Sequence, residues 1–245
     1  MNNGPSMTRR GLKVIQCNLR RSSTALMHVL DACKVQGIDV ALVHDLPQAV
    51  DTDSSTHQGF AFIGANVPRG THREAGIFVN PQLQVTRSPE SSPRAVGLEL
   101  RWGRSTIAII SGYIQPGTAL GLEDLAVLSQ ALKARTPLVF IGADINGHSP
   151  TWGPLETTPN AQGILVEDFI LEAGLEVLNC PNSLATFMPS NGQETWIDVS
   201  LATRQLASLV AEWEVLDQYF HSDHRAIRTE FSVIPLGTQM PRTFN

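Results

Sequence analysis

Between residues 59 and 113 the chain is a succession of short apolar and β-branched runs, each cut off by Gly, Pro or Asn. Such runs are too short for helices and alternate as strands do, which restricts the chain to folds that contain an antiparallel sheet. The predicted strands are residues 60–63, 76–79, 83–85, 96–100 and 106–111, with turns at Asn80-Pro81 and at 101–104. On either side, strands alternate with helices. Residues 12–17 and 38–43 read as strands around a helix in which Leu26, Val29, Leu30 and Cys33 recur at helical spacing, with Ser22 or Ser23 as cap and Gly37 as stop. Leu122, Leu125, Leu128 and Leu132 mark a second helix ending near Arg135, and residues 138–141 a buried strand bounded by Thr136-Pro137 and Gly142. A helix over 164–172 closed by Gly174, a strand at 176–178 and closing strands at 186–188, 195–201, 211–215 and 226–231 complete the pattern.

The expected fold class is therefore α/β: a four-layer sandwich of two packed mixed β-sheets flanked by helices. At 245 residues with 42% hydrophobic content, and with no internal linker, one domain over 12–232 is expected. Residues 1–11 read as an N-terminal tail. Residues 233–245, which hold Pro235 and Pro241 and no periodicity, read as a linker.

Several of the predicted strands run out into polar groups: Asn18, Asp45, Asp144 with Asn146, Asp198, and Asp223 with His224. An ordinary turn explains any one of them, since Asp and Asn side chains bond nearby backbone amides. A scaffold that ends strand after strand in such groups is explained poorly by turn chemistry alone. The strand at 138–141 is the sharpest case, because a rigid apolar run stops at a carboxylate and a carboxamide two residues apart.

Net charge limits the partners. The 18 basic and 23 acidic side chains give −5, so no global field draws the chain to nucleic acid, and a polyanion must be met by a local patch. Cys17, Cys33 and Cys180 form no C-x-x-C pair, which removes a soft-metal cluster and a disulfide framework and points to a reducing compartment. No apolar run approaches the length of about 18 residues that a membrane span needs, and the first residues lack a signal-peptide core. A soluble intracellular protein with no membrane partner is expected.

Taken together, Gln16-Cys17-Asn18-Leu19, the carboxylate after the second strand, Gly112-Tyr113, the run from Gly142 to His148 with Trp152-Gly153, Trp196-Ile197-Asp198 and Ser222-Asp223-His224 resemble the endonuclease/exonuclease/phosphatase superfamily. More narrowly, they resemble the apurinic/apyrimidinic-endonuclease-like domain of non-LTR retrotransposons, particularly site-specific arthropod elements. The resemblance spans residues 12 to about 232. It implies a magnesium-dependent endonuclease, with manganese as a substitute, that nicks one strand of double-stranded DNA. The 3′-hydroxyl it leaves would prime a reverse transcriptase carried in the same polyprotein, acting in the nucleus. Hard carboxylate oxygens suit magnesium.

The resemblance also implies roles. Asp45 would ligate the metal with Asn18 beside it, and Asp144 would orient or deprotonate the attacking water, which Asn146 holds. Tyr113 would donate to the phosphate. His224 would contact the scissile phosphate with Asp223 fixing its tautomer, and Asp198 would complete the network between Asp144 and His224. Whether Asp144 or His224 takes the proton is open at this stage. DNA contacts are expected from Arg20, Arg73, Asn191, Thr195 and Ser222, with the hairpin at 188–194 reading or wedging the target; an ordinary exposed turn explains that hairpin equally well. One residue departs from the family pattern. The usual Glu after the second strand is Asp45 here, in His44-Asp45-Leu46-Pro47, one methylene shorter. A phosphatase of the same superfamily and a non-catalytic DNA-targeting module are the competing expectations.

Overall fold

A computed structural model describes residues 11–48, 50, 56–68, 71–87, 91–117, 123–126, 128, 136–190 and 192–232. The predicted terminal tails, Asn191 and most of the helix expected before Arg135 fall outside these residues, although 123–126 and 128 are helical. In chain order the elements are β1 (Leu12–Asn18), α1 (Ser23–Gln36), β2 (Val40–His44), β3 (Thr56–His57), β4 (Phe60–Gly64), β5 (Ala75–Val79), β6 (Val85–Arg87), β7 (Ala95–Trp102) and β8 (Ser105–Tyr113). They continue with β9 (Val139–Asp144), α2 (Ala161–Ala173), β10 (Leu175–Val177), β11 (Asp198–Thr203), α3 (Arg204–Ala207), β12 (Val210–Val215) and β13 (Ile227–Phe231).

The strands form a seven-stranded sheet, β12-β13-β1-β2-β5-β4-β3, and a six-stranded sheet, β10-β11-β9-β8-β7-β6. Both are mixed. β1 runs parallel to β2 and β8 parallel to β9, while the remaining pairs are antiparallel. Three apolar clusters correspond to the three interfaces of a four-layer sandwich. One lies between the sheets and draws Val14, Leu42 and Ile77 from the first and Leu98, Ile109 and Phe140 from the second. Another buries the face of α1 that carries Leu26, Val29, Leu30 and Cys33 against the first sheet, and a third seats Val166, Phe169 and Ile170 of α2 on the second. The helical spacing seen in the sequence is the contact stripe of α1.

Local chemistry sets the element ends. Ser22 is the N-cap of α1, its hydroxyl accepting from the Ala25 amide at 3.1 Å, and Asn160 caps α2 through the Gly163 amide at 2.7 Å. Gly37 and Gly174 close the two helices at φ 66° and 63°, in the left-handed region. The segment at 186–188 is not a strand. Phe187 makes single bridges to Thr195 and His224, because its polar groups serve two different neighbours rather than one ladder. Gly142 also departs from the expectation that the strand ends before it. It lies inside β9, where a Cβ would come within 2.6 Å of Gln16 Oε1 and of Leu42 Cδ1.

That close approach lets polar groups staple the sheets beside the strand ends. Gln16 Nε2 donates to Val199 O at 3.2 Å, Ser200 Oγ donates to Gln16 Oε1 at 2.9 Å, and His44 Nε2 meets Gly142 O at 3.2 Å. Gly142→Ala is expected to destabilise the fold by about 1–3 kcal/mol through overpacking. Urea unfolding followed by tryptophan fluorescence checks it, and an unchanged midpoint would show that the sheets part there without cost.

Candidate active site

The carboxyl ends of β1, β2, β8 and β9 and the amino ends of β11 and β13 converge on one edge of the sandwich, because Asp198 pairs in register with Asp144, Tyr113 with Asp144, and Gln16 with Ile227. Asp144 is the last residue of β9 and 1% exposed. Its Oδ2 accepts from Asn18 Nδ2 at 2.7 Å and its Oδ1 from the Asn146 amide at 3.2 Å. Asn146 sits at φ 48° and donates its own Nδ2 to Ile114 O at 3.0 Å. Asn is among the few side chains that adopt this left-handed backbone readily, and it turns the chain sharply after the strand.

Opposite Asp144, Asp198 Oδ2 meets His224 Nδ1 at 2.9 Å, with both residues almost fully buried. The Asp198 amide and that of Ile197 both donate to Thr186 Oγ1, each at 3.0 Å, which fixes the start of β11. The Phe187 ring packs on the His224 ring with centroids 4.7 Å apart. Nothing in the sequence marked Thr186 and Phe187 beyond a strand pattern.

Two expectations are corrected here. Asp223 does not orient His224. The Asp223 carboxylate pairs instead with Arg20 Nε at 3.2 Å, while Asp198, distant in sequence, meets the imidazole at 2.9 Å. Ser222 is not a surface DNA contact. It is 4% exposed, donates to Asn18 O at 2.7 Å and accepts from the His224 amide at 3.1 Å, fastening the end of β1 to the histidine loop.

Burial raises the Asp144 pKa to about 7, reinforced by the Asp198 charge and opposed by His224 and by the Asn18 hydrogen bond. Burial works against the imidazolium of His224, yet the Asp198 charge and hydrogen bond, with Asp144 and Asp223 behind them, carry its pKa up to about 9. Tyr113 is pushed up to about 12 by burial and then by Asp144, Asp45 and Glu74, so its hydroxyl stays a donor at neutral pH. The three titrating groups at this edge are thus held apart: a carboxyl near neutrality, a histidine kept cationic and a phenol kept protonated.

Asp45 stands on the other flank, at φ 46°, with Oδ1 receiving Arg21 Nε at 2.9 Å and His72 Nε2 at 3.1 Å. Its amide donates to Glu74 O at 2.8 Å. The Glu74 carboxylate, which takes Gln115 Nε2 at 2.9 Å and lies 3.5 Å from Arg94, was not singled out in the sequence. Its signal is the pairing of β2 with β5, which sets Ala75 opposite His44 and hence Glu74 beside Asp45. Arg20 and Arg21 are exposed at the rim, whereas Arg73 Nε donates to Ala65 O at 3.2 Å and Thr195 exchanges backbone bonds with Phe187.

The donor set fits a hard divalent cation. Ligand atoms of Asp144, Asp198 and His224 lie within 4.8 Å of one another, and Asp198 Oδ1 is buried without a hydrogen-bond donor. An imidazolium is a poor ligand, however, so the carboxylates rather than His224 are the groups suited to the ion.

The family model described as endonuclease-reverse transcriptase matches residues 107–228. The Pol polyprotein of the type-1 retrotransposable element R1 from Bradysia coprophila is 32% identical over 134 residues, which are 51% of this chain and 13% of that protein. The chain thus spans about an eighth of the curated relative it matches. Among solved structures, the endonuclease domain of TRAS1, a telomere-specific non-LTR retrotransposon, superposes with a TM-score of 0.79 at 22% identity, covering 90% of this chain and 98% of that one. The AP endonuclease LMAP from Leishmania major gives 0.69 at 13% identity, covering 91% and 88%, and the 3′-5′ exonuclease NExo from Neisseria meningitidis 0.66 at 15%, covering 90% and 100%. The fold is that of the AP endonucleases. Within that fold, the family match over residues 107–228, the R1 Pol relative and the TRAS1 domain make the chain similar to endonuclease domains of non-LTR retrotransposons.

Proposed function

We propose that this domain hydrolyses one phosphodiester of double-stranded DNA in a magnesium-dependent, sequence-specific reaction and leaves a 3′-hydroxyl. That end would prime a reverse transcriptase in the same polyprotein, reached through residues 233–245 and acting in the nucleus. The observation that carries the reading is the buried pair of contacts at one sheet edge, Asn18–Asp144 at 2.7 Å and Asp198–His224 at 2.9 Å, with their titrations pushed to opposite roles. No helix among the described residues is long and apolar enough to cross a membrane.

Asp144 is the general base. With a pKa near 7 it is ionised in a useful fraction at neutral pH and basic enough to take a proton from water, which a carboxylate at its ordinary pKa is not. Asn18 holds one of its oxygens, and the Asn146 backbone the other. His224, cationic through Asp198, offers its other ring nitrogen and its charge to the scissile phosphate. Water adds to phosphorus, the P–O3′ bond breaks, and the departing O3′ collects a proton; Tyr113 is the protonated hydroxyl at this edge. Magnesium, when bound, would neutralise charge on the phosphate oxygens; Asp45 with Asn18, the ligands the family resemblance implies, would hold it on one flank, beside the Asp144 and Asp198 carboxylates whose ligand atoms converge.

The test is nicking of supercoiled plasmid with magnesium, followed by mapping of the ends. Nicks bearing 3′-hydroxyls are expected, and a folded protein that cuts with neither magnesium nor manganese would overturn the reading; hydrolysis of small phosphoesters alone would make it a phosphatase. Asp45 bears on the metal separately. Its shorter side chain and its contacts to Arg21 and His72 hold it back from an ion, so Asp45→Glu is expected to lower the magnesium concentration needed for half-maximal nicking. A titration showing unchanged or poorer magnesium response would refute this.

A further inference from the structure

A ladder of three rings stands exposed at the rim of the site. Tyr219 and His221 have ring centroids 5.0 Å apart, and His221 and His28, on the first turns of α1, 4.2 Å apart. Tyr219 is 64% exposed, and both histidines are exposed as well. The loop presents these rings rigidly, because Tyr219 and His221 alternate with Phe220 and Ser222, which are 1% and 4% exposed. His221 adopts φ 58°, which turns the chain at the point where its ring meets His28. Phe220 is anchored in the cluster under α1 and Ser222 in the end of β1. The ladder is therefore continuous with the backbone that positions Asn18 and His224. Between it and the site lie the exposed Arg20, paired with Asp223 at 3.2 Å, and then Arg21, whose Nε is 2.9 Å from Asp45 on the far flank. Carboxylates close to it in the chain are paired with cations, Asp223 with Arg20 at 3.2 Å, Asp217 with Arg225 at 3.6 Å and Asp31 with Lys34 at 3.4 Å.

We propose that this ladder is a stacking platform for an unpaired base of the DNA next to the cleaved phosphate, with Arg20 and Arg21 gripping the phosphates that flank it. The proposal rests on the endonuclease reading above. Exposed rings give little to a paired duplex, whose base faces are covered, but each unstacked base laid on an aromatic ring is worth about 1–3 kcal/mol. Arginines supply the sequence-independent phosphate contact that keeps the strand in register.

The test is fluorescence anisotropy in EDTA, so that no cleavage intervenes, with a paired duplex and with the same duplex carrying a short single-stranded gap. Wild type is compared with Tyr219→Ala, Tyr219→Phe and His221→Asn, the last keeping a residue that tolerates positive φ; thermal melts confirm that each is folded. Tyr219→Ala is expected to weaken binding to gapped DNA by about 5- to 150-fold, the equivalent of one stacked base, and to leave duplex affinity nearly unchanged. Tyr219→Phe is expected to retain wild-type affinity, and His221→Asn to lose part of it on the gapped DNA alone. Equal losses on both DNAs, or no loss on the gapped one, would overturn the platform. Plasmid nicking by wild type, run alongside with magnesium, reports on the endonuclease reading by itself, so the two can fail separately.

Discussion

Asp144→Asn is expected to lower the single-turnover nicking rate by about 10²- to 10⁴-fold, the contribution a positioned general base makes, and at the same time to stabilise the metal-free fold at alkaline pH. The second effect follows from the first residue's environment. The folded pKa of Asp144 is raised from 3.8 to about 7 by burial and by Asp198, so the native state binds this proton more tightly than the unfolded chain does. That contribution to stability is fully present below pH 3.8 and is lost as pH rises through 7, where a buried carboxylate must ionise. The amide never ionises. The Asn variant should therefore melt above wild type at pH 8 in EDTA, the gap closing below pH 4, even though it gives up an acceptor for the Asn146 amide. A variant as active as wild type would remove Asp144 from the chemistry, and one that melts lower at pH 8 would show that its carboxylate is solvated rather than strained. An active site that is less stable than its inactive isostere is the usual mark of function kept against the fold.

The layered architecture was legible because its signals are local. The stripe Leu26, Val29, Leu30, Cys33 faces the core as its spacing requires, and Gly37 and Gly174 stop their helices. The strand ends that carry Asn18, Asp144, Asp198 and His224 meet at one edge as the sequence order suggested. What could not be read is which carboxylate faces which imidazole. Proximity in sequence favoured Asp223, but its carboxylate pairs with Arg20, and it is Phe187, bridged to both Thr195 and His224, that brings the histidine beside the start of β11 and Asp198. Glu74 was hidden for the same reason, since its place beside Asp45 depends on the pairing of β2 with β5. Gly142 read as a breaker, whereas its missing Cβ serves the contact between sheets; a glycine's role as a turn or as a close approach depends on what lies opposite.

The pairing that sequence proximity misassigned yields the other large effect. Asp198→Asn is expected to cut the nicking rate by about 10³- to 10⁴-fold, the scale set by histidines that lose the carboxylate fixing their tautomer, and to move the alkaline limb of the rate to lower pH. In wild type the imidazolium of His224 survives burial because Asp198 and, behind it, Asp144 and Asp223 draw its pKa to about 9. Its folded pKa lies above the ordinary 6.5, so the stabilisation from this ion pair is whole below pH 6.5 and is lost as pH rises through 9. With an amide at 198 the largest favourable charge is gone while the desolvation remains, and the histidine turns neutral within the working range. Nicking should then fall off at a lower pH than in wild type, and the imidazole NMR titration should move with it. The two observables separate charge from geometry: a slow variant whose histidine still titrates near 9 would mean that Asp198 only aims the ring. A shifted titration with a wild-type rate would mean that the phosphate does not need the cation at all.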